Sequence, residues 1–198
     1  MDMNKRSDLE KLIHKFVVYA KKKKIHLYNE AGLQFELAFY LKSVLDEKIY
    51  KIQLERNIGD VTNVDSTKFI KKEMDIFIQN KETEEKYCIE LKLPNKGAYP
   101  RRMSQAFKDV KFLEELNHLA KFSGGLLFFT TPLKPFWSGK HNGKGVYNCF
   151  RKAHMFEKLN SGETPNFIKN KNVFEIEGCY SFKWKTFMKE YEYFTVVI

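Results

Sequence analysis

The run GGLLFFTT at residues 124–131 constrains the fold more than any other stretch. It shows no alternation of polar and apolar side chains, so a strand built from it presents apolar groups on both faces. Such a strand must be covered on both sides, as in the interior of an α/β sheet. The residues before it, YPRRMSQAFKDVKFLEELNHLAKF, read as a helix with Pro100 suitably placed near its start. A helix of that length is a crossover. It places 124–131 parallel to the preceding strand, KYCIELKL.

The other elements follow from periodicity. RSDLEKLIHKFVVYAKKKK predicts a first helix, with Ser7 and Glu10 at capping-box spacing. YNEAGLQFELAFYLKSVL predicts a second, with Leu33, Leu37, Leu41 and Val44 as its main stripe. Phe35 and Phe39 widen that stripe, which predicts a buried helix. IYKIQLERNI, EMDIFIQ and KYCIELKL read as strands, with a loop over GDVTNVDSTKF. The order over residues 28–131 is helix, three strands, helix, strand. The expected fold is α/β, a central mixed sheet flanked by helices, in a single domain over 1–198. An N-terminal helix precedes this core and a β-rich extension, 132–198, follows it. PLKPFWSGKHNGKGVYNCFRK reads as a long loop, and the last segments, NVFEIEGCYSFKWKTF and YEYFTVVI, as strands.

Charge narrows the partner. A formal net charge of +10 on 198 residues favours a polyanion, nucleic acid first and an anionic membrane surface second. Cys88, Cys149 and Cys179 are widely spaced, with no CxxC and no Cys/His cluster, which argues against zinc. The sparse count suits a reducing compartment. The opening MDMNKRSDLEK has no apolar signal core, and no apolar run approaches the roughly 20 residues of a membrane span. The expectation is a cytoplasmic protein without a membrane segment.

Three charges interrupt the paired apolar strands: Asp75, Glu90 and Lys92. If EMDIFIQ and KYCIELKL form an antiparallel hairpin with its turn on residues 81–84, Asn80 faces Glu85. In the same register Asp75 faces Glu90, with Cβ atoms about 5 Å apart. Alternation puts Lys92 on the face of Glu90 and Cys88, with Ile89, Leu91 and Leu93 on the other. Two facing carboxylates repel unless a cation lies between them, and they offer Mg²⁺ hard oxygen ligands. Such an ion acidifies a bound water, and Lys92 stands ready to offset charge on a phosphate or to position that water. The competing account is a salt-bridged surface hairpin, with Lys92 neutralising Glu90.

Asp75 followed by Glu90-Leu91-Lys92, on adjacent strands after a Glu-bearing helix, resembles the PD-(D/E)XK nuclease superfamily of restriction endonucleases and Holliday junction resolvases. The resemblance covers residues 28–131 and implies a restriction-endonuclease-like core of helix, three strands, helix and strand. It implies a Mg²⁺-dependent phosphodiester hydrolase, with Mn²⁺ able to substitute. Asp75, Glu90 and the Leu91 carbonyl would ligate the metal and Lys92 would be the catalytic lysine. Met74 stands where the eponymous proline would be. For the helix glutamate both Glu30 and Glu36 are candidates: helical angle favours Glu30, the preferred one, and the aromatic before it favours Glu36. Gln105 matches a position where many members carry Gln or Lys.

The expected partner is nucleic acid, DNA ahead of RNA. Lys96, Arg101, Arg102 and Lys108 follow Lys92 with no acidic residue up to Lys108, and Lys134, Lys140, Lys144, Arg151 and Lys152 repeat that balance. Phe136, Trp137 and Tyr147 are either base-stacking platforms or core aromatics, the second being preferred. A non-catalytic nucleic-acid-binding module is the alternative reading. A partner-dependent subunit and a homodimer also fit the size.

Overall fold

A computed structural model describes residues 6–139, 146–152, 156–157 and 174–198. The elements in chain order are α1 (Arg6–Lys23), α2 (Glu30–Val44), β1 (Tyr50–Asn57), β2 (Glu73–Asn80), β3 (Lys86–Lys92), α3 (Tyr99–Ala120), β4 (Gly124–Thr131), α4 (Val146–Lys152), β5 (Phe156–Glu157), β6 (Cys179–Tyr180), β7 (Lys185–Met188) and β8 (Tyr191–Val197). Six strands form one mixed sheet in the order β1-β2-β3-β4-β8-β7, and β5 pairs with β6. The chain is α/β.

β4 is buried along its whole length, as its composition requires. It runs parallel to β3 and antiparallel to β8. One apolar layer gathers Leu9, Phe16, Leu33 and Leu37 of α1 and α2 against Ile76, Ile89, Leu91 and Phe128. The opposite layer gathers Met103, Phe107, Leu113 and Phe150 of α3 and α4 against Phe77, Cys88, Leu127 and Phe129. Gly125 permits close packing there, because a Cβ on it would lie 2.9 Å from Leu113 Cδ2.

The β2–β3 register matches the expectation: Ile76 faces Ile89, Phe77 faces Cys88, and the Asn80 N–H donates to the Glu85 carbonyl at 2.9 Å. The C-terminal extension carries strands β5–β8, and two of them, β7 and β8, complete the main sheet beside β4. Elsewhere the structure corrects the sequence reading. The segment from Pro132 is not simply loop, since it contains a 3₁₀ turn at Lys134–Phe136 and helix α4. Ser7 is not the N-cap of α1, because Arg6 is already helical. The Glu10 carboxylate instead accepts from Thr195 Oγ1 at 3.1 Å. Phe35 and Phe39 do not widen the buried stripe of α2. They are exposed and stack on each other, because only the face with Leu33, Leu37 and Leu41 meets the core. Among the described residues no helix is long and apolar enough to cross a membrane.

Candidate active site

The charged cluster forms at the C-terminal end of β3. Continuing the β2–β3 register brings Asp75 opposite Glu90. The two strands are tied there by their carboxylates: the Leu91 N–H donates to Asp75 Oδ2 at 2.7 Å, and the Asp75 N–H approaches Glu90 Oε1 at 3.4 Å. Lys92 points to the same side, with Nζ 4.0 Å from Asp75 Oδ2, and donates to the Leu91 carbonyl at 2.7 Å. The carboxylates are therefore not splayed into solvent. Glu90 is fully buried, and the Asp75 side chain is 16% exposed.

Helix α2 contributes Glu30. Asn29 caps the helix by accepting from the Gly32 N–H at 2.7 Å, which fixes the first turn. Glu30 then accepts from the Leu93 N–H at 3.0 Å and lies 3.7 Å from Lys92 Nζ. One turn on, Gln34 donates to the Asp75 carbonyl at 2.7 Å and to Glu55 at 2.6 Å. Of the two glutamates expected, Glu30 joins the cluster. Glu36 takes part in none of its hydrogen bonds or ion pairs, because it lies almost two turns further along α2.

Two further members carry no mark in the sequence reading. Asp109, on α3, lies with Oδ2 3.1 Å from Lys92 Nζ and Oδ1 3.7 Å from Lys71 Nζ. It is buried, and its Oδ2 accepts no well-aligned hydrogen bond. Lys71, just before β2, donates to Glu90 Oε2 and lies 3.4 Å from Asp75 Oδ1. Its ammonium also sits 5.5 Å from the Phe112 ring centroid, in cation–π range. A signal for Asp109 does exist. Met103, Ala106, Val110, Leu113 and Leu116 mark the buried side of α3, and Asp109 falls on that side.

Among the described residues, then, four carboxylates (Glu30, Asp75, Glu90 and Asp109) surround two ammoniums. At an effective dielectric of about 20, one contact near 4 Å is worth about 4 kcal/mol. Desolvating each buried ion costs several kcal/mol, so each lysine must touch more than one carboxylate. Burial and then the Asp75 charge push the Glu90 carboxyl up to about 8, against the pull of Lys71. Burial likewise raises Asp109, opposed by Lys92 and Lys71. Burial works against both ammoniums, but the surrounding carboxylates outweigh it and hold both above the ordinary lysine range. Lys92 is thus held as a cation. Burial, then Glu90, keeps the Cys88 thiol protonated, and it donates to Glu90 Oε1 at 3.6 Å.

No group of three or more His, Cys, Asp or Glu side chains among the described residues is arranged to hold a metal ion. The place between Asp75 and Glu90 is taken by the Lys71 ammonium, and the Leu91 carbonyl accepts from Lys92. The Asp75 and Glu90 carboxylates, from adjacent strands, share the Lys71 ammonium, and carboxylate oxygens are the kind of donor that a hard divalent cation takes.

The remaining expected residues lie around this centre. Gln105 is one turn before Asp109 on α3 and accepts from Arg102 Nη1 at 3.3 Å. Lys96, Arg101 and Arg102 are exposed and Lys108 is half-buried. Arg151 is engaged internally, donating to the Pro135 carbonyl at 2.6 Å and stacking on Tyr147. Phe136 is fully buried, while Trp137 and Tyr147 pack against the core, so the aromatics serve the fold. Lys140 and Lys144 lie outside the described residues. A pocket of about 620 Å³ lies elsewhere, lined by Lys51, Arg56, Lys86 and Lys121 among others.

No family model, no curated protein and no solved structure matches the chain.

Proposed function

We propose that this chain is a metal-dependent nuclease that hydrolyses phosphodiester bonds, in DNA ahead of RNA. We read the unit from α2 to β4 as a PD-(D/E)XK-like, restriction-endonuclease-like core. One observation carries the reading: the Asp75 and Glu90 carboxylates, on neighbouring strands, share the Lys71 ammonium with Lys92 beside Asp75, where β3 ends next to a parallel strand. Ligand sites of open α/β sheets favour such carboxyl ends.

Asp75, Glu90 and the Leu91 carbonyl would hold Mg²⁺ or Mn²⁺. The bound ion would supply an acidic water and charge neutralisation. Lys92, held by Asp109 and Glu30, is preorganised to offset charge developing on the phosphate. Glu30 fixes the Leu93 N–H and so the end of β3. Exposed Lys96, Arg101 and Arg102 supply cations for the backbone of the substrate.

A second reading is favoured by the ion pairs themselves. Each carboxylate already has an ammonium partner, which suits a non-catalytic nucleic-acid-binding module. Purified protein incubated with labelled duplex, single-stranded and branched DNA and RNA, in Mg²⁺, Mn²⁺ or EDTA, separates the two. The nuclease reading predicts metal-dependent cleavage of at least one substrate. Binding without cleavage in every condition selects the second reading.

A further inference from the structure

Lys71 takes no part in the proposed chemistry, yet it holds the centre of the cluster. Its ammonium touches Glu90 Oε2, and lies 3.4 Å from Asp75 Oδ1 and 3.7 Å from Asp109 Oδ1. Those oxygens come from β2, β3 and α3, and no other side chain among the described residues contacts all three carboxylates. The backbone beside Lys71 is anchored. The Ile70 N–H donates to Glu115 Oε2 at 2.7 Å, and the Lys72 carbonyl accepts from the Ile58 N–H at 2.8 Å. The ammonium is thus delivered to its place by the fold.

The two lysines differ in how they are held. Lys92 belongs to β3, donates to the Leu91 carbonyl, and has a side chain 12% exposed. Lys71 lies on the connection before β2, with a side chain 23% exposed. A long, flexible stem on a connecting segment can carry its charge out to water. The donor oxygens it would leave behind are the hard, anionic kind that a divalent ion binds.

We propose that Lys71 is the resident cation of this site and that a divalent metal ion enters only by displacing its ammonium from Asp75, Glu90 and Asp109. The proposal rests on the metal-dependent reading above and adds a competitor to it. Lys71 keeps the metal-free cluster compensated. It also lowers metal affinity, because the ion must replace contacts the protein already has. The freed amine becomes solvated and chemically accessible.

Calorimetric titration with MnCl₂ alone tests this on wild type, Lys71→Met and Lys71→Gln, with folding checked by circular dichroism. Removing one competing charge from a partly buried anionic site predicts Mn²⁺ binding tighter by roughly tenfold or more in both variants. In wild type, acylation of Lys71 by an amine-reactive ester, followed by peptide mass spectrometry, rises several-fold when Mn²⁺ saturates the protein. Equal or weaker Mn²⁺ binding by the variants overturns the role of Lys71 and leaves the metal reading standing. Absence of Mn²⁺ binding in wild type and variants alike overturns the metal reading and this proposal together. Should neither variant fold, the labelling decides: acylation unchanged by saturating Mn²⁺ contradicts displacement.

Discussion

The Asp109 carboxylate lies 3.1 Å from the Lys92 ammonium, which joins helix α3 to strand β3 at the point where the sheet's charges converge. This contact ties the catalytic candidate to an element that the hairpin pattern does not include. It also makes the cluster's charge balance experimentally separable.

Carboxylates outnumber ammoniums in the cluster, so the two signs should respond unequally to neutralisation. Lys92→Met leaves Asp109, Glu30 and Asp75 without a shared cation and should cost about 3–5 kcal/mol of folding stability. Asp109→Asn relieves part of the anionic excess and should cost no more than about 2 kcal/mol. Urea unfolding in EDTA compares them. Equal costs would mean that the cluster is not short of positive charge.

Glu30 and Glu36 stand on one helix but only Glu30 reaches β3. Glu30→Gln should slow metal-dependent cleavage by about 10- to 100-fold, the usual effect of losing a supporting partner of a site. Glu36→Gln should leave the rate within about twofold, as for a surface position without such a role. Steady-state rates on one labelled substrate distinguish the two glutamates, and reversed sensitivities would refute the placement.

Arg101 and Arg102 are exposed at the start of α3, the helix that carries Asp109. Replacing both by Ala should weaken nucleic-acid binding and reduce the slope of log affinity against log salt by about one per lost phosphate contact. Binding measured across a salt series in EDTA checks this. An unchanged slope would place the nucleic acid on another face.

Gly125→Ala tests the packing that seats α3 on the sheet. The new methyl would lie 2.9 Å from Leu113 Cδ2 and 3.1 Å from Leu113 Cβ, inside a closed layer. Overpacking of this kind costs about 1–3 kcal/mol. Thermal unfolding should show a lowered midpoint. No change would mean that α3 shifts freely, and with it Asp109.

The β2–β3 hairpin was legible because its information is local. A short polar turn and period-two alternation set the register, and a one-residue slip would have buried the wrong face. Asp75, Glu90 and Lys92 stood out because charges are rare in such strands. β4 was legible from composition alone. Lys71 was not, since one of two adjacent lysines among 35 Lys and Arg residues reads as solvated. Asp109 was hidden by its neighbours: Lys108 and Lys111 make it look like a surface residue, although it shares the buried side of α3 with Ala106 and Leu113. The place of β8 beside β4 depends on a pairing of Leu126 with Val197, far apart in the chain, for which no short-range pattern exists. Phe35 and Phe39 misled because apolar content says how much surface could be buried, not which side a neighbour covers.

The central claim is that Asp75, Glu90 and Lys92 form a working site rather than a structural ion-pair network. Single-turnover cleavage of end-labelled DNA in Mg²⁺, by wild type, Asp75→Asn and Lys92→Met, tests it most directly. The account predicts cleavage by wild type that EDTA abolishes, and a loss of at least about 10²-fold in each folded variant while DNA binding persists. Cleavage by wild type that neither substitution slows would contradict it.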